Sequence, residues 1–279
     1  MQTILRGKIS EVTIDTDGPV IIIGECINPT RRKQLVSTLQ EGNFNYVMEL
    51  AQSQINAGAD VLDVNVGFPG VDDVKLLPET VLAIRGRFDI PLCLDSPNPK
   101  AIEAALKVAG GKCLINSVNG EEKSLNALLH IAREYNAALI GLTMDDDGIT
   151  HEPEKRLAIA EKILERAVKA GIKEEDVIID PLAMAVSADS RACIVTLATI
   201  RLVHQKLGLN ITMGASNISF GLPGREALNS AFMSLAILNG LTCPIANPEK
   251  ITAAVRATDL VLEKDDFAFR FVEYFQSQM

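Results

Sequence analysis

The chain has no tryptophan and only three histidines, His130, His151 and His204, so imidazole-based catalysis has few candidates. No apolar stretch approaches the roughly 18 residues that cross a bilayer. The first residues lack the apolar segment and cleavage site of a secretory leader, so neither leader nor membrane anchor is expected. Basic runs and basic–aromatic stripes are missing too. Net charge is −9 with the two signs interspersed, which argues against nucleic acid as the main partner. The five cysteines (Cys26, Cys93, Cys113, Cys193 and Cys243) include no CxxC pair. That pattern points to buried thiols in a reducing cytoplasm and offers no zinc-ligand spacing.

What is present is a long series of short apolar runs. With 279 residues, 47% of them hydrophobic, the chain can bury a large core. Its length suits one eight-fold α/β barrel, usually about 250 residues. Strand-like runs fall at 20–23, 60–64, 90–94, 113–115, 138–142, 177–179, 209–213 and 243–246. Helical patterns fall between them, over 45–57, 73–87, 99–110, 121–135, 153–170, 189–206, 223–239 and 248–262. In the fifth of these, Leu157, Ala160, Ile163, Leu164, Ala167 and Val168 keep the 3.6-residue period. Eight strand–helix repeats predict a parallel sheet with helices outside. The count, and the lack of a GxGxxG after the first run, favour a closed (β/α)8 TIM barrel in a single domain over an open doubly wound sheet. Residues 1–18 read as an N-terminal appendage, a small strand or hairpin under the barrel. Residues 19–264 read as the barrel, and 265–279 as a helical tail outside it.

The runs end alike. Asp63 and Asn65, Asp95 and Ser96, Asn116 and Ser117, Asp180, and the loop Gly214-Ala215-Ser216-Asn217-Ile218-Ser219 each close one. In a barrel these ends converge on one face, where such folds do chemistry. Taken singly, each polar residue reads as a cap for the next helix. Taken together, Asp95, Asn116, Asp180 and Asn217 suit a flat, hydrogen-bonding heterocycle. Carboxylates accept the N–H groups of an aminopyrimidine fork, and Asn supplies donor and acceptor, as a pterin ring requires. No Ser–His–Asp set stands at these positions. Cys26 and Cys93 lie near the mouth but lack an evident activating base. Asp145-Asp146-Asp147 reads as a solvated turn, and no metal site is expected.

The segments Gly24-Glu25-Cys26-Ile27-Asn28, Asp63-Val64-Asn65-Val66-Gly67, Leu92-Cys93-Leu94-Asp95-Ser96, Ile115-Asn116-Ser117, Ile179-Asp180-Pro181-Leu182 and Gly214-Ala215-Ser216-Asn217 resemble the pterin-binding methyltetrahydrofolate:corrinoid protein methyltransferases. They also resemble the folate-binding module of cobalamin-dependent methionine synthase. The resemblance covers about residues 20–262. It implies methyl transfer between N5 of tetrahydrofolate and the cobalt of a corrinoid (cobalamin type), in either direction. Carried over by position, Asp95, Asn116 and Asp180 would hold the pterin, and Asn217 would contact N5 as the catalytic residue. Ser216, Gly214 and Arg225 lie in the matching loop. The corrinoid-binding pattern D-x-H-x-x-G is absent, so the resemblance implies a separate corrinoid protein as partner. A homodimer, common among related barrels, is expected. Phe220 stands where the acetogenic type has a polar residue, which brings the chain closer to the methionine-synthase type or to enzymes of demethylation pathways. The rival readings are a dihydropteroate synthase, a non-catalytic folate-binding module, and a divalent-metal enzyme using Asp63, Asp95 and Asp180. The first would need a Ser-x-Lys segment where Ser216-Asn217-Ile218 stands.

Overall fold

An antiparallel hairpin opens the chain, β1 (Gln2–Arg6) and β2 (Glu11–Asp15). The structure, a computed structural model, describes all 279 residues. Strands and helices then alternate: β3 (Ile23–Ile27), α1 (Lys33–Gln40), α2 (Asn45–Asn56), β4 (Val61–Asn65), α3 (Asp73–Arg85), β5 (Leu92–Asp95), α4 (Pro99–Ala109) and β6 (Leu114–Asn119). They continue with α5 (Glu122–Glu134), β7 (Ala138–Leu142), α6 (Pro153–Lys169), β8 (Val177–Asp180), α7 (Ala192–Leu207), β9 (Asn210–Ile211), α8 (Arg225–Leu238), β10 (Ile245–Ala246) and α9 (Pro248–Val261). A last helix, α10 (Phe269–Ser277), follows.

The eight strands after the hairpin are parallel, in the order β10-β3-β4-β5-β6-β7-β8-β9. The ends of that sheet meet. Thr242 and Cys243 N–H donate to Ile211 O, and Ile245 N–H donates to Met213 O at 2.9 Å. A parallel bridge between Gly214 and Ile245 completes the seam. The result is the (β/α)8 barrel that the repeat count predicts.

Local sequence explains why the helices start where they do. Asn98 caps α4 by accepting from Lys100 N–H at 3.1 Å, with Pro99 in the first turn. Asn247 and Pro248 do the same for α9, where Asn247 accepts from Glu249 N–H at 3.0 Å. Each helix then buries one stripe. In α4 that stripe is Ala101, Ile102, Ala105, Leu106 and Ala109, the spacing of a single helical face.

The barrel interior is a separate apolar core. Ile23, Val61, Cys93, Leu114, Ala138, Ile140, Ile178, Cys243 and Ile245 pack there with Leu5 and Ile14 of the hairpin. The hairpin therefore plugs the amino-terminal end. Fully burying Leu5 and Ile14 stabilises this plug by up to about 3–6 kcal/mol. Asn210 Nδ2 ties it down through Thr3 Oγ1 and Ile14 O, both at 2.9 Å. Gly111 permits the closest approach. A Cβ there would lie 2.1 Å from Gly7 O, and its φ is +72°. At the other end of the chain, Arg270 in α10 donates to Asp60 Oδ1 at 2.8 Å.

Most element ends shift by one to four residues from the sequence reading, and three of the shifts bear on the site. The first barrel strand starts at Ile23 and runs to Ile27, so Glu25 lies in the strand and not in the loop after it. Helix α8 starts at Arg225, since Gly224 adopts the left-handed conformation (φ +62°) and ends the loop. Helix α7 starts at Ala192, because the Asp189 side chain accepts from Arg191 N–H at 2.9 Å in a turn before it.

Candidate active site at the carboxyl ends of the strands

Side chains alternate along a strand, so the residue two beyond an inward apolar position also points inward. Ile23, Val61, Cys93, Leu114 and Ile178 belong to the interior core. Their i+2 neighbours are Glu25, Asp63, Asp95, Asn116 and Asp180. The apolar interior therefore gives way toward the mouth to acidic and amidic side chains, with Asp63, level with Cys93, one step deeper than Asp95. Strand register puts Asn65, Asp95 and Asn116 side by side on β4, β5 and β6.

Hydrogen bonds fix the polarity of these side chains. Asn65 Nδ2 donates to Asp95 Oδ2 at 2.8 Å, and Asn116 Nδ2 donates to Asp63 Oδ1 at 3.2 Å. Both amides thus spend an N–H on a carboxylate. On β8, Leu182 N–H donates to Asp180 Oδ1 at 2.7 Å. Arg156, itself buried, donates to Pro181 O and Leu182 O and holds the chain that follows Asp180. The mouth is rich in acceptors and poor in donors.

Burial governs protonation here. Desolvation, and then the neighbouring Asp95 charge, push Asp63 well above the usual carboxylate range. Asp95 is raised by burial, partly offset by the Asn65 hydrogen bond. The deeper Asp63 is thus the more strongly raised of the two. Asp180 is pushed up to about 7 by burial, against the opposing Leu182 N–H bond and the Arg156 charge. Glu25 is also raised by burial, against the Ser216 hydrogen bond. Cys93 is fully buried and its thiol is held well above its ordinary value by desolvation, so it is no nucleophile. No three His, Cys, Asp or Glu side chains converge closely enough to hold a metal ion.

After β9 the chain makes a short 3-10 turn, Ala215–Ser219, with Asn217 exposed at its crest. The Asn217 amide folds back over Gly214, where a Cβ would meet Nδ2 at 2.9 Å. Glycine at 214 is what lets the amide lie there. Ser216 Oγ donates to Glu25 Oε1 at 2.7 Å. Arg225 braces the other side, with Nε to Ser219 Oγ at 2.9 Å and Nη2 to Ser216 O at 2.8 Å.

The residues singled out from sequence fall in three places on one face. Asp95 and Asn116 line a cavity of about 420 Å³. Ser216 and Arg225 line a second one, of about 430 Å³. Asp180, Gly214 and Asn217 are grouped at the β8–β9 side of the mouth. Sequence reasoning grouped Asp63 and Asn65 with the strand-end residues but gave them no part in holding the ligand, and it left Glu25 out. The two-residue offset from an inward apolar position, Ile23 and Val61, marks Glu25 and Asp63, and the same alternation carried one step further reaches Asn65.

A (β/α)8 barrel with a buried, acceptor-rich mouth defines a class of heterocycle-binding barrels. This chain belongs to one family within it, the pterin binding enzymes, whose family model matches residues 24–247. A methylcorrinoid:tetrahydrofolate methyltransferase of Eubacterium limosum is 29% identical over 265 residues, covering 92% of this chain and 96% of the relative. A methionine synthase of Mycobacterium tuberculosis is 30% identical over 248 residues, 84% of this chain but 21% of that longer protein. Among solved structures, a Yersinia pestis dihydropteroate synthase with a pterine-sulfa conjugate superposes with a TM-score of 0.73. It covers 94% of this chain and 99% of its own at 20% identity, a likeness of fold. No helix of the chain is long and apolar enough to cross a membrane.

Proposed function

We propose that this chain is a methyltransferase that moves a methyl group between N5 of (methyl)tetrahydrofolate and the cobalt of a corrinoid carried by a separate protein. It works as a stand-alone subunit of a multi-component one-carbon or demethylation system. The observation that carries the reading is the acceptor-rich layer of Asp95, Asn116 and Asp180 beside the free amide of Asn217. The pterin pyrimidine edge offers N–H donors, which those acceptors match. The likeness to the Eubacterium limosum enzyme over nearly its whole length adds support for corrinoid and folate as the two substrates.

The corrinoid supplies a cobalt centre that takes up or gives up the methyl group. The chain's own residues bind and orient the folate. When the methyl carbon leaves N5, the C–N electron pair stays on nitrogen, and N5 needs a proton or a strong hydrogen bond. Asn217 stabilises a protonated N5 through its amide oxygen without titrating itself. This is orientation and electrostatic stabilisation, not covalent catalysis. Ser216, Gly214 and Arg225 set the position of that amide.

The partner docks at the barrel mouth. A homodimer would use an outer face, where Leu235, Leu238 and Val261 are exposed apolar side chains. Five free cysteines suit a reducing cytoplasm. The test is Asn217→Ala, assayed for methyl transfer and for folate binding. Turnover falls about a hundredfold or more, while folate affinity changes less than tenfold. Equal losses in both would assign Asn217 a uniform binding role and overturn this part of the reading.

A further inference from the structure

We propose that the 430 Å³ cavity beside Asn217 binds the carboxylates of the folate's glutamyl tail through Arg31 and Arg32, and that longer tails bind there more tightly. This inference rests on the folate reading above.

The argument starts from connectivity. In tetrahydrofolate the p-aminobenzoyl-glutamate tail is bonded to C6, the ring atom next to N5. A pterin with N5 at Asn217 and its pyrimidine edge at Asp95 and Asn116 must send the tail out on the Asn217 side. That is where this cavity lies, lined by Ser216, the neighbour of Asn217.

Charge supplies the second strand. The chain carries −9 overall, yet this cavity sets four cations, Arg31, Arg32, Arg225 and Lys250, against two carboxylates. Both carboxylates have partners. Glu25 accepts from Ser216, and Glu226 pairs with Lys250 at 3.5 Å. Arg225 is committed to Ser216 O and Ser219 Oγ. Arg31 and Arg32 make no ion pair. The Arg31 guanidinium stacks on the Phe220 ring at 4.6 Å, which orients its plane and leaves the N–H edge free for a carboxylate. The two arginines also precede α1, whose first turn has no acidic residue and no capping side chain. Cations at that end oppose the helix dipole, and a bound anion would relieve the opposition.

The experiment measures anaerobic equilibrium binding of three probes to the wild-type chain and to an Arg31→Ala/Arg32→Ala variant. The probes are 5-methyltetrahydrofolate as monoglutamate, the same compound as triglutamate, and a 5-methyltetrahydropterin with no tail. The wild type binds the triglutamate most tightly, and added salt narrows that advantage. The variant loses roughly threefold to tenfold for the monoglutamate and more for the triglutamate, as expected for two exposed ion pairs. It stays within twofold for the tail-less pterin. An equal loss for all three probes, or none for any, overturns the tail assignment while leaving the pterin pocket intact. Failure of the wild type to bind even the tail-less pterin would overturn the folate reading itself. Because Arg31 is exposed and Arg32 half-exposed, the variant should fold. A single Arg31→Gln change, with about half the effect, is the check.

Discussion

Asp180→Asn separates the stability of this barrel from its function. Asp180 is 7% exposed, on the inward side of β8. Burial moves its pKa from 3.8 to about 7, which corresponds to about 4 kcal/mol of strain in the ionised native state. The sign follows from the proton count. Between the unfolded value of 3.8 and about 7, the native chain keeps a proton that the unfolded chain has released. Stability from this group therefore falls as pH rises through that window. From pH 5 to pH 8 the fall is about 3 kcal/mol. Asparagine keeps an oxygen for Leu182 N–H but does not ionise. Its amide N–H₂ is a buried donor where the acid had a second oxygen, a change worth about 1–3 kcal/mol if left unpaired. At pH 5 the variant should equal the wild type or melt slightly below it. At pH 8 its Tm relative to the wild type should rise by roughly 6–12 °C. Differential scanning calorimetry at the two pH values reads this directly. Folate affinity at pH 7 should drop at least about tenfold, because a carboxylate acceptor becomes a donor. A Tm difference that is the same at pH 5 and pH 8 would refute the account of Asp180.

Other predictions rest on single contacts. Glu25→Ala removes the acceptor for Ser216 Oγ and loosens the turn that carries Asn217. It should cut kcat about tenfold with a smaller change in KM, while Glu25→Gln retains most activity. Equal activity of the two variants would remove the positioning role. Gly111→Ala forces a Cβ against the hairpin carbonyls at positive φ, and should lower stability by roughly 3 kcal/mol. A calorimetric Tm within 2 °C of the wild type, by about the 2–4 °C per kcal/mol scale, would contradict the plug geometry. Thiol titration at pH 8 should modify at most Cys193 quickly in the native chain, and all five cysteines after denaturation. Rapid native labelling of two or more would show that the strand thiols are not buried.

Much of the fold was legible because each strand carries its own local signal. The run 138–142 coincides with β7, and the Asn-Pro pairs at 98–99 and 247–248 mark helix starts as capping chemistry requires. The first barrel strand was placed too early because Val20, Ile21 and Ile22 are as apolar as any strand. Their N–H groups instead donate to the Asp259 side chain, Thr242 O and the Asp60 side chain in turn. The site was legible in its strand-end Asp and Asn residues. It was illegible where it depends on distant pairs. Ser216 meets Glu25 across 191 residues, and Arg31 meets Phe220 between the loops after β3 and β9. No local pattern encodes such a contact, and only barrel closure brings the two loops together. The unequal effect of burial was equally hidden, since Asp63 and Asp95 look alike in sequence and differ in depth.

The measurement that bears most directly on the central claim is spectroscopic. The wild-type chain is mixed with free cob(I)alamin and 5-methyltetrahydrofolate under strict anaerobiosis, and conversion to methylcobalamin is followed by absorbance. The reverse mixture, methylcobalamin with tetrahydrofolate, is run alongside. Methyl transfer to or from N5 of folate predicts conversion in at least one mixture, lost on Asn217→Ala. Folate that binds without conversion in either mixture would contradict it.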